Sequence, residues 1–297
     1  MALHDDSNSN DARSHRHGHA HGHGHEDPTA WLPEAVLDGQ VSIPPVLDRF
    51  VSQVEDLQPS RIIDLGCGPG VGTIALAERF PGASVVGLDI NQPALDLATE
   101  RAAAQGLSDR VTFVAASFDD GFVDAVAPAD LLWASMSLHH TEDPAAALGH
   151  ACAVVSPGGR LALAEFGAPV TMLPDTSDVV TGGTWDRFQA ASDAGLLDHL
   201  GPAAFNVQWL DLLAEQGIEQ IAHFECPIRF PAPLGAQERE WLTTHLQRGL
   251  QFTEERISAE DRALLQALLD PENPDGTASS DSVFIDYGRT LYTGVKP

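Results

Sequence analysis

Apolar residues fall in a regular rhythm between Arg61 and Gly167. RIIDL, SVVGLDI, RVTFVAAS, ADLLWASM and RLALAEFG are short runs rich in aliphatic and β-branched side chains, and they read as five strands. Between them lie VGTIALAERF, PALDLATERAAAQG and PAAALGHACAVV, whose apolar positions recur at helical spacing. Pro81-Gly82 stops the first of these helices, Gly106 closes the second, and a Pro157-Gly158-Gly159 turn leads into the fifth strand. Alternation of this kind predicts an α/β fold, a Rossmann-like doubly wound sheet covered on both faces. Ahead of it, IPPVLDRFVSQVEDL (Ile43 to Leu57) predicts a helix with its prolines in the first turn.

After Gly167 the rhythm breaks. Residues 168 to about 203 are rich in Thr, Asp, Gly and Pro, with Trp185 and Phe188 in a short helix. NVQWLDLLAEQG then predicts a helix, IEQIAHFECPIRF a strand, and SVFIDYGRTLYTGV a last strand after an irregular helical block at about 235–275. The two irregular blocks are expected to be lid insertions on one sheet, so that 29–297 form one domain with its core at 58–167. Residues 1–28 differ in kind. They hold seven of the thirteen histidines, with His17, His19, His21, His23 and His25 alternating with small residues. Such a segment buries too little apolar surface to offset its ordering entropy, so a disordered tail is expected. Alternating imidazoles bind Ni, Cu or Zn adventitiously.

Composition narrows the partners. Sixteen Lys and Arg stand against 43 Asp and Glu, a formal net charge of -27. A phosphate backbone needs basic surface to displace its counterions, so nucleic acid is not an expected partner. Three separated cysteines, Cys67, Cys152 and Cys226, suit reduced thiols rather than a disulfide framework. MALHDDSNSND lacks the basic start and apolar run of a signal peptide, and no stretch approaches the length of a membrane span. A cytoplasmic location is the expectation.

Candidate chemistry begins at Gly66-Cys67-Gly68-Pro69-Gly70, between the first strand and the first helix. Open parallel sheets bind ligands beyond the carboxyl ends of their strands, where the strand order reverses. A dinucleotide fingerprint, Gly-x-Gly-x-x-Gly, fails in both registers, because its third glycine falls on Val71 or Thr73. Asp64 inside the strand would repel a pyrophosphate. The same carboxylate suits a ligand carrying an ammonium and a sulfonium, and S-adenosylmethionine fits. Asp89, at the end of the next strand, is placed to accept hydrogen bonds from ribose hydroxyls.

RIIDLGCGPG, VVGLDI, ADLLWASMSLHH and VVSPGGRLALAEF resemble, in order and spacing, the motifs of class I S-adenosylmethionine-dependent methyltransferases. The resemblance implies a seven-stranded, mostly parallel sheet whose last strand is antiparallel. It implies that Asp64, Gly66, Cys67, Gly68 and Gly70 hold the methionine part of the cofactor, that Asp89 holds the ribose, and that Ile90 flanks the adenine. Many members carry an acid after the third strand. Here Ser117 stands at that place, and either Ser117 with Phe118 or the nearby Asp119 serves the adenine. Ala134, Ser135 and Met136 are then wall residues near the cofactor.

Methyl transfer needs a nucleophile held in line and sometimes a base. His139 or His140 is placed to take a proton from an acceptor hydroxyl, or else the pair caps the strand-to-helix connection. Glu165 either orients the acceptor or bonds loop amides. Trp185, Phe188, His199, Phe205 and Trp209 either line an acceptor pocket or pack locally, and Trp31 closes the cofactor from the N-terminal side. No Lys-Asp-Asp or acidic triad marks a magnesium-dependent enzyme. The sequence therefore points to a metal-independent methyltransferase acting on a small-molecule acceptor, at oxygen ahead of nitrogen or carbon. The alternative is a metal-binding or S-adenosylmethionine-sensing regulator that works through its His-rich tail.

Overall fold

The computed structural model describes residues 29–297 apart from 55, 119–121 and 254. The chain begins with α1 (Leu32–Val51) and then alternates: β1 (Arg61–Leu65), α2 (Val71–Arg79), β2 (Ser84–Asp89), α3 (Gln92–Ala104), β3 (Val111–Ala115), β4 (Ala129–Ser135), α4 (Pro144–Ala153) and β5 (Val155–Phe166). Three helices follow, α5 (Asp178–Thr181), α6 (Thr184–Leu200) and α7 (Pro202–Phe205), and then α8 (Trp209–Glu215) leads into β6 (Glu219–Phe230). The last part is α9 (Ala236–Phe252), α10 (Ala259–Ala267) and β7 (Ile285–Val295).

One seven-stranded sheet has the order β3-β2-β1-β4-β5-β7-β6. The pairs from β3 through β5 are parallel, and β7 runs antiparallel to both β5 and β6. The doubly wound sheet with an antiparallel last strand is the architecture that the sequence predicts. Chain order reverses at β1, so the turn after β1 opens at the switch point where such sheets take ligands. Two apolar cores lie on the two faces. Ile62, Leu131, Trp133, Ala162 and Leu291 belong to one, which α1, α6 and α9 cover; Ile63, Leu132, Leu161 and Leu163 belong to the other, under α4 and α8. The alternation of these neighbours along each strand is the period-two signature of a sheet buried on both sides.

Three elements differ from expectation. The first helix starts at Leu32 and ends at Val51, so Pro44 and Pro45 lie inside it rather than in its first turn. One buried stripe, Leu37, Val41, Val46, Leu47 and Phe50, runs past the prolines, and tertiary burial holds the helix through the break in its hydrogen-bond ladder. Phe50 meets Trp133 edge to face at 5.9 Å, joining α1 to β4. Ser52 ends the helix early: its Oγ donates to the Arg49 carbonyl at 2.7 Å. Secondly, Pro157-Gly158-Gly159 lies within β5. The register against β4 shifts between Ala129 and Leu131, and the turn is absorbed as an irregularity of the strand. Thirdly, Trp185 and Phe188 sit on a 17-residue helix, α6, where a short one was expected. Its buried face packs on α9, with Phe188 filling the space above Gly249.

Among the described residues no helix is long and apolar enough to cross a membrane. No group of three or more His, Cys, Asp or Glu side chains among them is arranged to hold a metal ion. The histidine-rich stretch lies outside the described residues.

Candidate active site

The turn after β1 is built from left-handed backbone. Gly66 has φ +74° and Gly68 φ +49°. At Gly66 a Cβ would stand 2.2 Å from the Ser137 Cβ, so only glycine fits where the β4 connection crosses the loop. At Gly68 a Cβ would meet nothing within 4 Å. That opening is the space a ligand's backbone-facing side requires. The amides of Gly66 and Cys67 both donate to the Leu88 carbonyl, at 2.8 and 2.9 Å, tying the loop to β2. The Cys67 side chain is buried beside Gly87, and burial, with the Asp64 and Asp89 charges, pushes its thiol pKa well up. Cys67 thus contributes loop backbone to the site and packs its sulfur inward.

Two carboxylates frame the loop. Asp64 is buried and accepts from Thr73 Oγ1 at 2.6 Å, just inside α2. Burial raises its pKa to about 7; the Thr73 hydrogen bond opposes the rise and the Asp89 charge adds to it. Asp89 is half-buried. Its Oδ2 accepts from the Gly68 amide and its Oδ1 from the Asn91 amide, both at 2.8 Å. Each oxygen keeps a second lone pair for an incoming hydroxyl. Ile90, next to it, is 74% exposed, the most open of the large apolar side chains exposed here. Across the cleft Phe118 stands edge to face with Phe122 at 6.0 Å, and its carbonyl is bonded to His150 Nδ1 at 2.9 Å. Ser117 is half-buried beside it, while Asp119 lies outside the described residues.

The end of β4 turns sharply. Met136 adopts φ 53°, a conformation that side chains rarely take and that clusters at functional turns. The turn lets Ser137 Oγ donate to the Leu65 carbonyl at 2.8 Å, bringing the chain over the glycine loop. Ser135 is half-buried at the strand end. Ala134 is fully buried in the lower core, so its side chain packs beneath the sheet.

Just past Ser137, His139 and Glu165 meet. His139 Nδ1 lies 2.5 Å from Glu165 Oε2, and both residues are buried. Parallel pairing of Ser135 with Ala164 brings the two together across 26 residues of sequence. Glu165 Oε1 is buried without a hydrogen-bond partner among the described residues. The His139 ring packs between the exposed His140, at 4.2 Å, and Phe166, at 4.5 Å; Phe166 in turn stacks on Phe205 at 5.0 Å. The other aromatic candidates are scattered. Trp185 and Phe188 lie in the core below α9, Trp209 lies in the opposite core, and His199 stands 5.7 Å from Phe252. Trp31, 41% exposed, directly precedes α1.

The donor set suits a cationic ligand with a diol: two acids, an open glycine backbone and an exposed apolar flank. The sequence profile of a methyltransferase domain matches residues 58–193. Over 223 residues the chain is 31% identical to trans-aconitate 2-methyltransferase of Pseudomonas paraeruginosa, covering 74% of this chain and 70% of that protein. The chain belongs to the class I S-adenosylmethionine-dependent methyltransferases. Another relative of this methyltransferase is Methyltransferase GfsG of Streptomyces halstedii, 31% identical over 180 residues, or 58% of this chain and 60% of that one. The chain spans only 43–60% of the length of that relative and of two others, demethylmenaquinone methyltransferase of Thermus thermophilus and 27-O-demethylrifamycin SV methyltransferase of Amycolatopsis mediterranei. Among solved structures, the [4+2]-cyclase SpnF shares the methyltransferase fold at a TM-score of 0.50 and 19% identity, over 91% of this chain and 92% of that one.

Proposed function

We propose that this methyltransferase moves the methyl group of S-adenosylmethionine to a hydroxyl oxygen of a small acceptor, without a catalytic metal, and that His139 is the base. The observation that carries the reading is the buried His139–Glu165 contact of 2.5 Å at the adjoining ends of β4 and β5, beside the glycine loop. A carboxylate on Nδ1 holds the proton there and leaves Nε2 as the acceptor. His140 covers the outer face of the ring. The cofactor, when bound, supplies an electrophilic methyl on a positively charged sulfur that leaves as a neutral thioether.

This chain's own residues do the rest. Asp89 takes the ribose hydroxyls on its free lone pairs, and Ile90 and Phe118 flank the adenine, with Ser117 at its edge. The Gly66–Gly70 turn admits the methionine part, and Asp64 offsets its charge. As the acceptor oxygen bonds to the methyl carbon, its proton passes to His139 Nε2 and Glu165 stabilises the imidazolium. A relative named for methylating trans-aconitate supports an acceptor of that size. The insertions at about 168–203 and 235–275 are the lid that keeps water away.

Calorimetric titration with S-adenosylmethionine, with NAD beside it, tests the cofactor half. Binding of the first alone is expected, and Asp89→Ala should weaken it by more than about tenfold, the worth of a hydrogen bond to a charged acceptor. Transfer of labelled methyl into a panel of alcohols, phenols and amines tests the rest. His139→Gln should lower kcat by about 10²- to 10⁴-fold with S-adenosylmethionine affinity unchanged. Label on amine nitrogen alone, or full kcat in His139→Gln, sinks the proposal.

A further inference from the structure

A second polar cluster lies on the other side of the β5–β7 junction, and the steps described above do not use it. β7 starts beside the end of β5, with Arg289 paired opposite Phe166 and Tyr287 two residues earlier on the same face. The Arg289 guanidinium stands 5.3 Å from the centre of the Tyr287 ring. Tyr287 stacks on Trp241 of α9 at 5.0 Å, and Trp241 stacks on His245 at 5.0 Å. From α1, Asp38 accepts from Trp241 Nε1 at 3.0 Å, and its other oxygen is 3.8 Å from Arg289 Nη2, beyond hydrogen-bond reach.

Two donors in this cluster have no acceptor among the described residues: Tyr287 Oη and Arg289 Nε are both buried without a hydrogen-bond partner there. A buried donor left unmade is costly, and here two stand on one strand face. Burial raises the Tyr287 pKa and so keeps the phenol protonated, a donor. The cluster lies at the edge of the surface, where the Asp38 side chain is 39% exposed and that of Arg289 15%, with the two donor atoms themselves covered. It also borders the reaction site on two sides. Gly39, next to Asp38, packs against Val71 at the start of α2, and Phe166, opposite Arg289, packs on His139.

We propose that Arg289 and Tyr287 form the acceptor-anchoring subsite and that the acceptor carries a carboxylate, held there while another of its atoms receives the methyl group. This deepens the methyltransferase reading and rests on it. A guanidinium edge with one phenol matches the two oxygens of a carboxylate; three phosphate oxygens would need more donors than the pair offers. Asp38 opposes the anion by its charge. The Trp241 indole fixes Asp38 with its nearer oxygen 3.8 Å from Nη2, beyond hydrogen-bond reach, so Asp38 takes no donor from the guanidinium.

The test is calorimetric titration of the full chain with benzoate and with succinate, each against its uncharged amide, at constant ionic strength, with and without S-adenosylhomocysteine. Saturable binding of a carboxylate at millimolar concentration, and none of its amide, is expected. Arg289→Gln should weaken it by about tenfold or more. Tyr287→Phe keeps the ring stack, so it should leave thermal stability equal or higher while weakening carboxylate binding several-fold. A purely structural tyrosine would show no such split. Asp38→Asn should tighten binding by removing the opposing charge, and Arg229→Gln, in an exposed ion pair with Asp286, should change nothing. Absence of binding by both acids, or binding indifferent to Arg289→Gln and Tyr287→Phe, overturns the proposal. Failure of S-adenosylhomocysteine to bind would instead sink the methyltransferase reading, with carboxylate binding to the free protein still measurable.

Discussion

Asp64 offers the sharpest quantitative test of the cofactor site. It is buried, its one side-chain donor among the described residues is the Thr73 hydroxyl at 2.6 Å, and a Cβ on Gly72 would stand 3.1 Å from its Oδ2. Burial raises its pKa from the ordinary 3.8 to about 7. A carboxyl whose pKa rises on folding keeps its proton in the folded state while the unfolded chain gives it up. Stability is therefore lost as pH rises from 3.8 to about 7, and the loss is complete above that, at about 4 kcal/mol. Asp64→Asn keeps an acceptor for Thr73 and removes the titration. In urea denaturation of the ligand-free protein, the mutant should gain on the wild type by about 2 kcal/mol more at about pH 8 than at about pH 5.5.

The same group should report the cofactor. A bound ammonium and sulfonium favour the carboxylate, so binding must drive off the proton. At about pH 6.5 roughly three-quarters of the ligand-free protein is protonated at Asp64, given a pKa of about 7. Calorimetry in buffers of different ionisation enthalpy should then show the wild type releasing most of one proton more than Asp64→Asn. The excess should vanish by about pH 8.5. A stability gap that does not change with pH would refute the burial argument. Equal proton release by the two proteins would separate Asp64 from the cofactor.

Three further predictions concern the loop and the tail. Gly66→Ala forces a side chain into left-handed backbone and against Ser137, at 2.2 Å, and should cost about 2–5 kcal/mol of stability in thermal melts. Gly68→Ala meets nothing in the ligand-free protein and should cost about 1 kcal/mol, yet weaken S-adenosylmethionine binding by tenfold or more; the reverse ranking would displace the ligand from this loop. Deleting residues 1–28 should abolish retention on an immobilised-nickel column and leave methyl transfer unchanged. A fall in kcat would return weight to a regulatory tail.

What was legible in the sequence was what local chemistry dictates. Each strand announced itself by a run of β-branched and aliphatic residues, and the glycine loop by steric demands met within a few positions. Asp64, inside the first strand, and Asp89, at the end of the second, stand out by position alone as candidates for the cofactor. The first helix was misread because its prolines suggested a start, whereas burial along Leu37, Val41 and Phe50 continues through them. The meeting of His139 with Glu165 depends on β4 and β5 being neighbours, which the order of elements permits but local pattern does not state. The Arg289 cluster was not legible at all. It joins α1, α9 and β7, whose contributing residues are separated by about 250 positions, and nothing in DYGRTLY distinguishes a buried guanidinium from a surface one.

The two buried carboxylates of the site show why residue type alone could not assign their roles. Glu165 faces an imidazole at 2.5 Å, so its charge has a partner supplied by the chain itself. Asp64 faces a hydroxyl and lies in the field of Asp89, so folding alone supplies no cation to it. A buried acid paired with a base orients that base, whatever is bound. A buried acid that lacks a cation is costly until one arrives, and that cost becomes affinity for a positively charged ligand. On the proposed mechanism the same residue class serves the proton-transfer side of the site in one strand and the cofactor side in another, and the difference lies in what the neighbouring strand brings alongside.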